Sequence, residues 1–254
     1  MSSSQNYGNK EMTNCANKHK QEELKIALIV GASGLVGQHL LMQLLASAAY
    51  SKVIALVRQP LALEHTKLEQ RQIDFENLAT ALLDFNLSVQ KQKNIPSDSG
   101  ELPKINHIFC TLGSTIRKAG SKSAFSEIDY EFPLIIAKHF YTQNTVLFAI
   151  VTAMSANASS FIFYNQVKGK IETSLSDIGY QHLGLFRPSM LSGQRNEFRI
   201  GELLGTILMN ALAFMIPKKY RVIQANKVAN AMLAYAEHPP LGISIIQSDQ
   251  LQNY

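Results

Sequence analysis

Tyr164 and Lys168, in the segment FYNQVKGKIE, stand four residues apart in a stretch with helical patterning, so their side chains share one face. A phenol with a reference pKa of about 10 is a poor base at neutral pH, and a neighbouring ammonium stabilises its phenolate. Such a pair can give a proton to a carbonyl oxygen as a hydride arrives, or take one from an alcohol as a hydride leaves. The spacing alone is common by chance, and its weight comes from what lies upstream. A hydroxyl is also needed to polarise the substrate oxygen, and the preceding apolar run ends Val151-Thr152-Ala153-Met154-Ser155. Thr152 is the first candidate and Ser155 the reserve, although strand-end hydroxyls also commonly cap the next turn.

A hydride needs a carrier, and the sequence offers a phosphate cradle for one. Gly31-Ala-Ser-Gly34-Leu-Val-Gly37 lies between a short apolar run and a helical pattern, where a helix N-terminus presents unpaired N–H groups to an anion. Gly31 suits a tight turn, Gly34 a close approach of phosphate, and Gly37 close packing of helix on strand. Gln38 follows the last glycine, so the Walker-type Lys-Ser/Thr ending is absent, and GSKS at Gly120 to Ser123 imitates that ending without its upstream glycine. The second strand ends at Val57-Arg58, where a cofactor with a free ribose 2′-hydroxyl calls for an acidic residue. A guanidinium there suits a ribose phosphate and favours NADP(H) over NAD, with the Ser33 hydroxyl as a second donor; the alternative is a solvated strand-end charge. Asp74 can accept from the adenine amino group or cap the helix at Glu76, and the two readings are even.

These groups must be held by an alternating chain. KIALIV (Lys25 to Val30) and KVIALV (Lys52 to Val57) are continuous apolar runs, as buried parallel strands require. Further strands are expected near Gln72 to Phe75, at Ile105 to Leu112, Val146 to Ala153 and His182 to Phe186, with ISII (Ile243 to Ile246) as a last one. Helical patterns fall between them, including one from Glu76 to about Phe85 and another around Val228, Ala229, Met232 and Leu233. Strands alternating with helices give the fold class α/β, a doubly wound parallel sheet (Rossmann fold) in one domain. Residues 25–254 form that domain, residues 189–254 its substrate-covering part, and the polar residues 1–24 an unstructured tail.

Composition narrows the function. With 46% hydrophobic residues the 254-residue chain can bury a sizeable core, and the excess of 24 basic over 19 acidic residues forms no block, which argues against nucleic acid. Two cysteines, Cys15 and Cys110, make no disulfide framework, and the seven histidines show no paired ligand spacing, so no metal is expected. Residues 1–24 lack the apolar core of a secretory signal, which leads to the expectation of a cytoplasmic protein. The run from Leu203 to Ile216 is too short for a transmembrane segment.

GASGLVG, Arg58, CTLGST, TAMSAN, SSFIFYNQVKGKIE and FRPSML, in this order, resemble the atypical short-chain dehydrogenase/reductase family, in the branch similar to Tat-interacting-protein-like oxidoreductases and to bacterial proteins loosely named sugar-nucleotide epimerases. The resemblance runs from about Lys25 to Tyr254. It implies that Gly31, Ser33, Gly34, Leu35 and Val36 line the cofactor phosphates and that Arg58 takes the ribose phosphate. It further implies that Cys110, Thr111, Leu112 and Gly113 flank the cofactor, that Tyr164 and Lys168 are the catalytic pair, and that Arg187 and Pro188 close over the nicotinamide side. Two departures stand out: Thr152 and Ser155 replace a family serine and glycine, and Asp129 lies where many relatives place a catalytic asparagine, so a full tetrad is not implied.

In the C-terminal part, Arg195, Arg199 and Glu202 are candidate polar anchors, while Leu203, Leu204, Ile207, Leu208, Met215 and Ile216 form either an apolar wall or simply a buried helix face. The leading expectation is an NADP(H)-dependent oxidoreductase acting on a small-molecule carbonyl or alcohol. Beside it stand an NADPH-responsive regulatory or scaffold protein and a sugar-nucleotide epimerase, the latter disfavoured by the short C-terminal region. A protein partner or a homodimer is left open.

Overall fold

Seven parallel strands form the centre of the computed structural model, which describes residues 24–92, 104–192 and 217–254. In chain order the elements begin with β1 (Lys25–Val30), α1 (Leu35–Ala46), β2 (Tyr50–Val57), β3 (Leu68–Gln72), α2 (Leu78–Gln92) and β4 (His107–Cys110). Two short helices follow, α3 (Ile116–Ala119) and α4 (Lys122–Ser126), then a π-helical turn (Glu127–Glu131), α5 (Phe132–Tyr141), β5 (Leu147–Val151), α6 (Phe163–Ser176) and β6 (His182–Arg187). The chain closes with β7 (Leu191–Ser192), β8 (Ile223–Gln224), α7 (Ala225–Glu237), β9 (Gly242–Gln247) and α8 (Ser248–Leu251). The main sheet runs β3-β2-β1-β4-β5-β6-β9, and β7 pairs with β8 in a small parallel ribbon that the sequence did not announce.

The apolar runs form central strands because both of their faces are covered. Ala27, Ile29 and Phe109 face α1 and α7, whereas Leu28, Val30, Ile108 and Ile150 face α2, α5 and α6. The expected strand at Gln72 to Phe75 is corrected to LEQRQ at Leu68–Gln72. As an edge strand it is only half-buried, so its polar residues hid it, while the buried Phe75 that drew attention lies beyond it and packs on Phe132 at 5.4 Å. Residues 1–23 and 193–216 lie outside the described residues, and with them the expected tail and the candidates Arg195, Arg199, Glu202, Leu203, Leu204, Ile207, Leu208, Met215 and Ile216.

At the end of the sheet opposite the glycine turn, His107 is buried and shares a 2.8 Å hydrogen bond with the Tyr50 hydroxyl. Burial, aided by the charges of Lys25 and His182, pulls its pKa down to about 3. The folded state therefore holds a neutral imidazole that the unfolded chain protonates near pH 6.5. Its contribution is complete above that pH and is lost as pH falls from about 6.5 towards about 3. Urea unfolding across this window is expected to show wild type losing stability relative to His107→Gln; parallel pH dependences would contradict this assignment.

Candidate active site

The strand order reverses between β1 and β4, which opens a crevice beyond the carboxyl ends of the strands, where ligands of such sheets bind. The glycine turn sits at its rim. Gly31 adopts φ +85°, and a Cβ there would lie 2.7 Å from the Thr111 carbonyl carbon. A Cβ on Gly37 would lie 2.1 Å from the Gly31 oxygen and 2.7 Å from the Thr111 hydroxyl. Only glycine lets α1 begin this close to β1 and β4. Gly34 is the N-cap of α1 without a side-chain cap, and the first turn carries no acidic residue, so its N–H groups and dipole end are left for an anion.

The other expected cofactor contacts distribute unevenly. Ser33 is exposed on the turn and Leu35 half-buried, but the Val36 side chain is buried in the core, leaving that residue only its backbone for a phosphate. Arg58 stands exposed just past β2 with no carboxylate partner among the described residues. Of the two even readings of Asp74, the structure shows the cap. Its carboxylate accepts from the Glu76 N–H at 2.9 Å and the Asn77 amide at 2.7 Å, and these bonds hold its pKa below the usual carboxylate range. Cys110 is fully buried, its thiol pushed up to about 12 chiefly by desolvation, so it faces the core and not the crevice. Thr111 is tied to β1 by N–H and hydroxyl bonds to the Val30 oxygen at 2.8 and 3.0 Å, and Leu112 and Gly113 continue from it along the crevice.

Gly113 leads directly to Lys168 and the residues around it. A Cβ on it would lie 3.5 Å from Asp129 Oδ1 and 3.7 Å from Lys168 Nζ. Lys168 and Asp129 are both buried and form an ion pair at 2.7 Å, and Asp129 Oδ2 accepts from the Ser114 N–H at 2.9 Å. Asp129 lies in the π-helical turn. Pro133, at the start of α5, has no N–H for the carbonyl four residues back, which removes one α-helical bond where the turn widens. Burial works to lower the Lys168 pKa, but the charge and hydrogen bond of Asp129, together with Tyr164, outweigh it and raise the pKa. Tyr164, half-buried one turn earlier on α6, lies against the Phe125 ring with centroids 5.4 Å apart. Close packing fixes this helix: a Cβ on Gly169 would lie 2.0 Å from the Ala158 nitrogen.

Two expected roles are corrected by one ion pair. Glu172, a turn beyond Lys168, accepts from Arg187 Nε at 3.0 Å and Nη2 at 2.5 Å, and from the Thr152 hydroxyl at 2.6 Å. Thr152 has thus spent its only proton on a buried carboxylate and cannot polarise a substrate oxygen. Arg187 grips Glu172 instead of closing over a nicotinamide, and Pro188 is buried beside it. Ser155 remains exposed on the turn after β5. Sequence reasoning missed Glu172, although the Tyr164, Lys168, Glu172 progression by fours was there to be read.

An all-parallel sheet of this order, with a glycine turn at its switch point, defines a Rossmann-type α/β fold of the short-chain dehydrogenase/reductase kind. Residues 64–217 match HIM1, and the chain belongs to this family, as an atypical short-chain dehydrogenase/reductase of the HTATIP2 type. It is 30% identical to Protein HTATIP2 of Rattus norvegicus over 90% of this chain and 86% of that protein. It is 29% identical to Protein FMP52, mitochondrial, of Coccidioides immitis over 74% of each. Among solved structures it resembles the Bordetella bronchiseptica enzyme WbmH in complex with NAD+ (TM-score 0.64, 14% identity, 89% of this chain and 76% of that one). It also resembles UDP-glucose 4-epimerase of Thermotoga maritima with UDP-glucose (TM-score 0.61, 13% identity, 90% and 80%).

The relatives correct one expectation. Several fungal ones carry mitochondrial names, so the cytoplasmic placement does not hold. An apolar leader bears on secretion alone, because mitochondrial targeting uses amphipathic basic segments. Among the described residues, no helix is long and apolar enough to cross a membrane.

Proposed function

We propose that the protein is an NADP(H)-dependent oxidoreductase acting on a small-molecule carbonyl or alcohol, with Tyr164 as general acid/base and Lys168 as its electrostatic partner. One observation carries this reading: Thr111 to Gly113 abuts the glycine turn at one end and Lys168 at the other, so a phosphate cradle and a phenol–ammonium face share one crevice. The bound dinucleotide supplies the hydride. The backbone N–H groups at the start of α1 would hold its phosphates, Ser33 and Arg58 would hold the ribose phosphate, and Leu112 and Gly113 would flank it. Tyr164 gives its proton to the substrate oxygen, or takes one from it, and Ser155 is the hydroxyl left to polarise that oxygen. The NAD and NAD+ named with the structural neighbours support a dinucleotide in this fold, while the exposed Arg58 at the end of β2 supports the phosphorylated form.

Fluorescence titration tests the cofactor choice. Wild type is expected to bind NADPH at least tenfold more tightly than NADH, and Arg58→Ala is expected to remove most of that preference, in line with about 1.5–3 kcal/mol for a hydrogen bond to a charged group. Equal affinities in wild type would overturn the assignment. Saturable NADPH oxidation against a panel of aldehydes and ketones tests the reaction itself.

A further inference from the structure

The buried ion pair beneath Gly113 bears on which way a proton moves through the site. A lone ammonium on the same helix face as a phenol draws the phenol towards its anionic form. Here the ammonium is not alone. The Asp129 carboxylate lies 2.7 Å from Lys168 Nζ, both groups are almost wholly buried, and the Ser114 N–H fixes the other carboxylate oxygen at 2.9 Å. The π-helical turn places Asp129 there, and a Cβ added at Gly113 would reach ordinary contact distance of both members of the pair.

Among the described residues, these charged and titratable groups surround the pair. Cys110 comes from β4, Asp129 from the π-helical turn, Tyr164 and Glu172 from α6, and Arg187 from β6. Cys110 is held as a neutral thiol by burial, and Glu172 is matched by Arg187. Lys168 and Asp129 cancel in the same way, so the described residues around the Tyr164 phenol carry no net charge.

We propose that Asp129 is a positioning residue for the Tyr164–Lys168 pair: as a buried counter-ion it withholds the full charge of Lys168 from the phenol and so favours proton donation to a carbonyl over proton abstraction from an alcohol. In that reduction the carbonyl carbon would take hydride from bound NADPH, leaving NADP+, the Tyr164 phenol would give its proton to the carbonyl oxygen, and solvent water would return a proton to Tyr164. This inference rests on the assignment of Tyr164 and Lys168 given above.

Near-ultraviolet phenolate titration reads the effect without cofactor or substrate. Subtracting the curve of each variant's Tyr164→Phe counterpart isolates Tyr164 from the other tyrosines. Asp129→Asn is expected to move the Tyr164 curve to lower pH by about one unit or more, and Lys168→Met to move it to higher pH. The double variant, neutral again, is expected to return near wild type, and Asp129→Glu to restore it in part. With saturating substrate and cofactor, Asp129→Asn is expected to raise kcat for alcohol oxidation relative to kcat for carbonyl reduction at neutral pH by about tenfold, with compensating changes in KM. Tyr164 curves that coincide in wild type, Asp129→Asn and Lys168→Met would overturn the proposal. Should Asp129→Asn fail to fold, Lys168→Met against the double variant decides the matter, since the counter-ion role requires the two to differ. Shifted curves with no turnover on any carbonyl would leave the counter-ion role of Asp129 standing and defeat the oxidoreductase reading together with the directional preference that rests on it, whereas Tyr164-dependent turnover with unmoved curves would overturn the counter-ion role and leave that reading standing.

Discussion

Tyr164→Phe is expected to lower NADPH-driven carbonyl reduction by about 10²–10⁴-fold, the usual contribution of a positioned general acid, while leaving the fold and the affinity for NADPH close to wild type. The reasoning is geometric. Tyr164 is half-buried against Phe125, and among the described residues its hydroxyl makes no hydrogen bond on which folding depends. Removing one oxygen therefore takes away a proton donor without opening a cavity, and the loss should appear in kcat more than in KM. The check is steady-state turnover on the best carbonyl of the panel, with thermal melting and NADPH titration on the same samples. Undiminished turnover would remove Tyr164 from the reaction, and a lowered melting temperature would show it to be a packing residue.

Gly37→Ala is expected to act through the cradle. The added methyl would sit 2.1 Å from the Gly31 oxygen and 2.7 Å from the Thr111 hydroxyl, and neither can give way alone, since Gly31 is backbone and Thr111 is bonded to β1. Helix α1 must move outward. Overpacking of this kind costs about 3 kcal/mol, which for a domain of this size lowers Tm by roughly 6–12 °C. The same displacement withdraws the N–H groups at the start of α1, so NADPH affinity is expected to fall by about two orders of magnitude, or about 2.7 kcal/mol. Ser33→Ala is the control: it adds no atoms and is expected to leave Tm unchanged. Calorimetry and fluorescence titration on the two variants separate packing from binding, and an unmoved Tm in Gly37→Ala would contradict the contact geometry.

Much of this architecture was legible in the sequence because buried parallel strands carry an unmistakable signature. KIALIV and KVIALV are apolar on both faces, and they became the paired strands β1 and β2. The glycine turn was legible for a similar reason, since its spacing reflects contacts that admit no side chain. The polar edge strand β3 escaped because a strand at the sheet edge, only partly covered, has little reason to be apolar. The site was legible one face at a time. Periodicity brought Tyr164 and Lys168 together, but it could not say that Glu172 would claim Arg187 and Thr152, because those partners arrive from other strands. Asp129 stood out as a departure in type, yet its pairing with Lys168 depends on a widened turn that a 3.6-residue repeat does not describe.

Thr111, Leu112 and Gly113 span both halves of the crevice with no intervening hinge. Thr111 is anchored to β1 and meets the glycine turn, and two residues later Gly113 roofs the ammonium and its counter-ion. In the proposed reaction the distance between the bound cofactor and the Tyr164 phenol would thus be set by a short stretch of main chain, and its alignment would follow from the rigidity of the sheet.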